Sequence, residues 1–269
     1  MTMLTLTLKT KLQQRLDCSP LTPCKLAGKS LTEIAAILLY YGKKKLRVDE
    51  IFTLSGENSA HISFEKSSEK LDCIGAFMQS GEISIHGDAG AQLGFKMSNG
   101  NITCLGNVGD FAASGMINGL IVIHGNVSNF LGAAIIGERK GMGGGTVIVK
   151  GNVGDRLGDQ MRRGLILVEG NVGDYCASRM IAGTVGVLGS LGKYTAYGMR
   201  RGTLLLSAQP TLHATIQDCG THTLPFLNLL LKSLQQFDTL FNQLTSQRVQ
   251  RFVGDLAANG NGEILVFKH

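Results

Sequence analysis

The residues able to do chemistry in this chain fall into columns, not clusters. Asp72, Asp110, Asp155 and Asp174 share one phase of a 19-residue spacing, interrupted by Ala91, Asn129 and Lys193. Carboxylates stacked at such a spacing would serve as a metal pair or as an acid and its base. Their plainer use is to accept hydrogen bonds from the N–H groups of turns. With no further group converging beside them, the plainer use is favoured.

The histidines are His61, His86, His124, His213, His222 and His269. His86 and His124 share a column two repeats apart, about 9–10 Å at the spacing of paired strands, too far to share a zinc ion. The cysteines, Cys18, Cys24, Cys73, Cys104, Cys176 and Cys219, form no C-x-x-C pair and no metal-finger spacing with a histidine. Cys104 falls at an inward strand position and is expected to be buried and inert. No Ser/His/Asp or Cys/His set can be assembled, so no catalytic, cofactor-binding or metal-binding residue is assigned. GERKGMGGG (137–145) has the glycines of a phosphate loop without its G-K-[ST] ending, and no helix follows GNVGD to support an anion.

One cluster of charge stands apart. Arg162 and Arg163 precede Gly164; Arg200 and Arg201 hold the same positions two repeats on, and Arg179 lies one column away in the repeat between. Guanidiniums gathered on one edge can hold carboxylates or phosphates bidentately. Arg139 and Lys140 protrude on an inserted loop, a natural docking element. The edge is open to three uses: solvated surface, contact with a partner, or contact with an acidic ligand.

The elements that must position these residues are repeats. Cutting before each GNVGD-like segment gives seven units, starting at Ser68, Gly87, Gly106, Gly125, Gly151, Gly170 and Gly189; six span 19 residues and the fourth spans 26. Met78, Met97, Met116, Met142, Met161, Met180 and Met199 form one column, and three residues after each stands a glycine, from Gly81 to Gly202. Each unit ends in an alternating segment such as LIVIH (120–124) or LILVE (165–169), which reads as a strand. The inward columns run Ile83/Ile85, Ile102/Cys104, Ile121/Ile123, Val147/Val149, Ile166/Val168, Val185/Val187 and Leu204/Leu206. A strand every 19 residues between glycine corners, with no helix between, predicts a mainly β fold, a right-handed parallel β-helix. Seven such turns at about 4.8 Å give a rod roughly 30 Å long. Asn107, Asn126, Asn152 and Asn171 share the second position and are expected to stack as an amide ladder. Leucine-rich repeats are the runner-up; they lack this glycine density.

The expected organisation is an N-terminal cap and lead-in over 1–67, the β-helix over 68–207 with its insertion near 135–141, and a C-terminal helical tail with a final strand over 208–269. LTLTLK (4–9) reads as a strand, and SLTE (30–33) as a capping box opening a helix through about Tyr41. Leu224–Leu244 reads as a helix with Phe226, Leu230, Leu234, Phe237, Phe241 and Leu244 on one face, and EILVF (263–267) as a strand. The flanks are expected to cover the open edges of the rod or dock a neighbouring subunit.

Composition narrows the function classes. A net charge of +6 suits an acidic partner, but no basic run is interleaved with stacking aromatics, so nucleic acid is a poor candidate. No run reaches the ~18 apolar residues of a membrane span, and MTMLTLTLKTKLQQRL has no signal-peptide core. A cytoplasmic protein with reduced thiols is expected.

The G-x-x-G-x-x-x-G turns, the recurring M-x-x-G and the GERKGMGGG insertion resemble the C subunit of formylmethanofuran dehydrogenase, and LTPCKLAGKSL (21–31) resembles the start of that protein. The repeats are also similar to the carboxyl-terminal domain of the glutamate synthase large subunit. DCGTHTLPFLNLL (218–230) and GDLAANGNGEILVF (254–267) resemble the bacterial branch, which belongs to the formyltransferase/hydrolase complex of methylotrophs. The resemblance implies a non-catalytic scaffold subunit. Its complex moves a formyl group from formyl-tetrahydromethanopterin to a methanofuran-type carrier and releases formate. The implied partners are the A, B and D components of a hetero-oligomer, of which the first is amidohydrolase-like and the last a formyltransferase. The carrier, whose tail is rich in glutamate, and the metal ions would reside with those partners, leaving no cofactor in this chain. Other readings are the C subunit of a molybdenum or tungsten dehydrogenase and a stand-alone interaction module. A glutamate synthase-type amidotransferase fits poorly, given the Met-Thr start and the absence of iron–sulfur cysteine spacing.

Overall fold

The computed structural model describes residues 2–268. The lead-in runs β1 (Met3–Leu8), β2 (Leu16–Asp17), α1 (Pro23–Leu26), α2 (Leu31–Ala35), β3 (Leu38–Tyr41), β4 (Lys44–Arg47), α3 (Val48–Ile51), β5 (Phe52–Ser55) and β6 (Asn58–Ser67). The repeats contribute β7 (Leu71–Asp72), β8 (Glu82–Gly87), β9 (Asn101–Cys104), β10 (Leu120–Ile123), β11 (Gly143–Val149), β12 (Arg163–Val168), β13 (Thr184–Val187) and β14 (Thr203–Leu206). The chain then forms β15 (Gln217–Thr223), α4 (Phe226–Leu234), a 3-10 turn at Leu240–Gln243, β16 (Arg248–Gly254), a second 3-10 turn at Leu256–Ala258, and β17 (Gly262–Phe267).

The fold is mainly β. A 13-stranded mixed sheet has the order β15-β16-β17-β14-β13-β12-β11-β10-β9-β8-β6-β1-β5, and β4-β3-β2-β7 forms a smaller one. From β1 and β6 through β8–β14 to β17 the neighbours are parallel. Their register aligns the predicted inward columns: Ile83, Ile102, Ile121, Val147, Ile166, Val185 and Leu204 sit side by side. The columns continue outside the repeats, through Ile62 and Phe64 on one side and Ile264 and Val266 on the other. A second parallel column of single bridges joins Ala89, Val108, Val127, Val153, Val172 and Leu191. All these residues are buried, apart from half-buried Leu191, and they line one continuous apolar core. The antiparallel pairs β1–β5, β15–β16 and β16–β17 close the two ends of the ladder.

The methionine and glycine columns are parts of one contact. A Cβ on Gly183 (φ +110°) would stand 2.9 Å from the terminal methyl of Met161 in the preceding repeat. The same relation joins Met78 to Gly100, Met97 to Gly119 and Met180 to Gly202, at 2.6 to 2.8 Å. Glycine here meets both a backbone angle and a space requirement, and the flexible thioether fills the space it leaves.

Beyond the strands a second, smaller core forms. Ile148, Leu167 and Leu205, each between the two inward residues of its strand, pack with Leu227, Leu231 and Leu234 of α4 and with Phe241, Val249 and Phe267. Between them Gly186 leaves room for Phe241, whose ring atom Cε1 would lie 2.6 Å from a Cβ there. The apolar middle positions of the later strands are therefore covered by the C-terminal segment.

Two helix expectations are corrected. The capping box is present, with Ser30 and Glu33 bonding reciprocally, but the helix ends at Ala35. Leu38–Tyr41 is instead a strand pairing with both β4 and β2, and Leu39 is buried. AAILLYY suits helix or strand by local pattern, and pairing with β4 across a tight turn, joined by Leu16 of β2, decides between them. At the other end α4 covers only Phe226–Leu234, followed by the 3-10 turn. Of the expected face Leu234 and Phe241 are buried and Leu230, Phe237 and Leu244 are half-buried against the same core, whereas Phe226 is exposed and Leu227 and Leu231 are buried in addition. FLNLLL is apolar around most of its turn, and packing on the sheet turns Leu227 and Leu231 fully inward and leaves Phe226 outside.

Candidate functional site

The arginine edge folds into a cavity of about 570 Å³ lined by Arg139, Gln160, Arg162, Arg179, Ile181, Gly198, Arg200 and Ala258. The ladder dictates this. The backbone N–H of Arg162 bonds to Met142 O and that of Arg200 to Met180 O, so both residues leave the same corner of their repeats. Ile181 holds that corner in the repeat between them, so the two arginines stand two rungs, about 9–10 Å, apart. The insertion brings Arg139 over from the side. Its base is tied down by Ala134 N–H to Asp159 O (3.1 Å), Gly141 N–H to Gln160 O (3.1 Å) and the ion pair of Lys96 with Glu138 (2.7 Å).

The structure sorts the predicted cluster. Arg139, Arg162, Arg179 and Arg200 meet in the cavity. Lys140 lines an adjoining groove of about 370 Å³ with Ile117, Gly141, Gly143 and the shared Arg162. Arg163 and Arg201 are exposed and line neither space.

Arg179 differs from its neighbours in charge balance. Its guanidinium grips Asp159 through Nε at 2.9 Å and through Nη2, and Arg156 approaches the same carboxylate at 3.9 Å. Asp159 is 4% exposed at its side chain and also accepts from the Ser178 hydroxyl at 2.8 Å. The hydrogen bond to Asp159 raises the Arg179 pKa. Arg179 is thus a neutralised wall, whereas Arg139, Arg162 and Arg200 have no carboxylate at ion-pair distance among the described residues. Three uncompensated guanidiniums around one space can hold a carboxylate or phosphate group. Asp159 does not stand out in the sequence, because its column holds carboxylates nowhere else.

The other columns take their plainer uses. Asp110 accepts from Asn129 N–H (2.9 Å), Asn129 from Asp155 N–H (2.8 Å), Asp155 from Asp174 N–H (2.8 Å) and Asp174 from Lys193 N–H (2.7 Å). Each side chain braces the next repeat's corner. Asn107, Asn126 and Asn152 stack through both backbone and amide donors, 2.8 to 3.2 Å from the preceding oxygen. Asn171 continues the column onto Ser190.

The histidines are dispersed: His61 meets Glu82, His86 approaches Glu65, His213 meets Thr215 and His222 meets Cys219 O, while His269 lies outside the described residues. Among the described residues no three His, Cys, Asp or Glu side chains gather to hold a metal ion. Cys104 is buried as expected, and burial pushes its thiol up to about 11 and that of Cys176 to about 12. No helix among the described residues is long and apolar enough to cross a membrane.

A further column is not among the sequence expectations. Phe111, Phe130, Arg156, Tyr175 and Tyr194 share the sixth position, all with φ of 59–65°. Phe111 stacks on Phe130 at 4.5 Å, Arg156 lies over Tyr175 at 4.6 Å, and Tyr175 stacks on Tyr194 at 4.9 Å. Bulky residues rarely take this left-handed conformation; stacking between rungs offsets its cost. The 19-residue phase was the available signal. This column borders the arginine cavity, for Tyr194 and Tyr197 line a space with Arg156 and Arg179.

The family model described as GXGXG motif matches residues 58–224. The chain is 43% identical over 264 residues, 98% of its length and 99% of the relative's, to the C subunit of the formyltransferase/hydrolase complex Fhc of Methylorubrum extorquens. It is 36% identical over 89 residues, about a third of each chain (32% and 33%), to the C subunit of tungsten-containing formylmethanofuran dehydrogenase 2 of Methanococcus maripaludis. A chain in the crystal structure of the formyltransferase/hydrolase complex (FhcABCD) from Methylorubrum extorquens with methylofuran superposes with a TM-score of 0.94 at 39% identity, covering 98% of this chain and 100% of that one.

Proposed function

The chain belongs to the family of the C subunit of the formyltransferase/hydrolase complex, and from that premise we propose that it is a non-catalytic scaffold subunit of such a complex. The complex would move a formyl group from formyl-tetrahydromethanopterin to a methanofuran-type carrier and release formate, in the cytoplasm. Its partners would be the amidohydrolase-like A component, the B component and the formyltransferase D component, which would hold the metal ions and the carrier's reactive end. The observation that carries this reading is the likeness along 98% of the chain to a C subunit. The dehydrogenase alternative rests on a likeness over only 32% of the chain.

The parallel ladder and the second column of bridges support reading residues 68–207 as turns of a right-handed parallel β-helix, with 1–67 and 208–269 as its caps. A stack of this kind offers long faces to several partners. Arg139, Lys140, Arg162, Arg163, Arg179, Arg200 and Arg201 would form the basic edge that meets a partner or the acidic part of the carrier. Arg139, Arg162 and Arg200 would be its uncompensated centre.

The test is affinity purification of the tagged chain from its native host, with identification of co-purifying subunits, metal analysis and assay of formyl release. A hetero-oligomer that releases formate without molybdenum or tungsten is expected. A monomer with its own hydrolase activity, or a bound molybdenum or tungsten pterin in the complex, would overturn the reading.

A further inference from the structure

The most exposed large apolar side chain among the described residues is Ile136, at 93%. It sits at the tip of the inserted loop, and the loop is built to hold it there. Glu138 N–H bonds to Ile135 O at 3.0 Å, closing a tight turn with Ile136 and Gly137 at its centre. Gly137 has φ +90°, the angle a type II turn requires at its third position. Nothing beyond its chain neighbours lies within 4 Å of where a Cβ on Gly137 would stand, so Gly137, like Ile136, faces open space. Below it the loop is fastened by Glu138 to Lys96 (2.7 Å), by Gly141 N–H to Gln160 O (3.1 Å) and by Met142 N–H to Gly132 O (2.8 Å). The turn closes through backbone and Gly137 alone, so the isoleucine side chain plays no part in its folding. A preorganised tip loses little conformational freedom on binding, and covering an isoleucine returns most of the hydrophobic gain of a core residue.

The charges around the tip select what covers it. Glu138 is neutralised by Lys96, whereas Arg139 and Lys140 are exposed and carry no ion pair among the described residues. The complement is an apolar slot bordered by carboxylates. A second copy of this chain fits less well: its own apolar groove beside Ile117 has one carboxylate, Glu138, which Lys96 already neutralises, and its unpaired charges are Lys140 and Arg162, which would repel the approaching tip. We propose that Ile136 is the anchor by which this chain docks onto another subunit of its complex, entering an apolar slot whose rim carries carboxylates that meet Arg139 and Lys140. This rests on the reading of the chain as a subunit of a hetero-oligomer.

The experiment uses the full chain, tagged and co-produced with its companion subunits, and measures the recovered complex and its dissociation on dilution. Ile136→Asp and Ile136→Ser should each weaken assembly, Ile136→Asp by at least about 100-fold and Ile136→Ser by at least about tenfold. The isolated variants should melt as the parent does, since the side chain is open to solvent. Arg139→Glu with Lys140→Glu should weaken assembly further as salt is lowered. Wild-type affinity in Ile136→Asp would overturn the proposal, as would a homodimer of the isolated chain that Ile136→Asp dissolves. Failure of the parent chain to assemble with any subunit would instead overturn the hetero-oligomer reading itself.

Discussion

The guanidinium of Arg179 closes on the carboxylate of Asp159 one repeat earlier, with Nε 2.9 Å from Oδ1, and the acid lies buried behind the base. Removing either partner has unequal effects. Arg179→Ala leaves a carboxylate that is 4% exposed with only the Ser178 hydroxyl and the Arg156 guanidinium 3.9 Å away, whereas Asp159→Asn frees an arginine that is 51% exposed and can turn to water. Removing the main partner of a buried charge is the costlier change. Arg179→Ala should cost about 3 kcal/mol and Asp159→Asn about 2 kcal/mol or less. Urea unfolding of both variants and of the double variant checks the order, and equal losses would remove the asymmetry.

Gly183→Ala should destabilise the repeats by at least about 1–2 kcal/mol, the penalty for an L-residue in left-handed backbone. The φ of +110° and the Met161 methyl both oppose the added Cβ. Met161→Ala in the same chain should remove the 2.9 Å contact and leave the backbone penalty and the tight approach to Gly164 O (3.1 Å) in place. Thermal melting of the two single variants and the double variant separates space from conformation.

Cys176 ties stability to alkaline pH. Burial raises its thiol from 9.0 to about 12, so above pH 9 the unfolded chain loses a proton that the folded chain keeps. Stability then falls with rising pH from about 9 and goes on falling until about 12. At about pH 10.5 this thiol alone should remove about 2 kcal/mol, at about 1.4 kcal/mol per unit. Denaturation of the parent and of Cys176→Ala at about pH 8 and about pH 10.5 should give a smaller pH-dependent loss in the variant.

The cavity divides the arginine pairs that the sequence treats alike. Arg162→Glu with Arg200→Glu should lower affinity for an acidic partner or carrier by at least about tenfold. Arg163→Glu with Arg201→Glu should change it less than about threefold, because neither residue lines the cavity. Binding titrations at low and moderate salt decide; equal effects from the two pairs would show a general basic surface in place of a site.

Much of the architecture is legible because one interaction recurs at one spacing. The inward columns from Ile83 to Leu206, the Met–Gly pairing and the Asn and Asp ladders all follow from stacking like on like every 19 residues. A periodic sequence states its own neighbours. It therefore also placed Arg162 and Arg200 in one column, two rungs apart.

What lay outside the period needed the tertiary structure. Leu38–Tyr41 became a strand because it pairs along its length with Lys44–Arg47 and at Tyr41 with Leu16, and α4 turned Leu227 inward because Ile148, Leu167 and Leu205 wait beneath it. The cavity took its form the same way. The insertion has no repeat to set its phase, so only its bonds to Gln160 and Asp159 bring Arg139 beside Arg162. Whether a guanidinium is free or spent depends on which carboxylate it reaches, and the reach of Arg179 to buried Asp159 is a fact of packing between repeats. Sequence alone determined the stacked columns, since each needs only the residue one repeat away; the site was decided by contacts between segments that share no spacing.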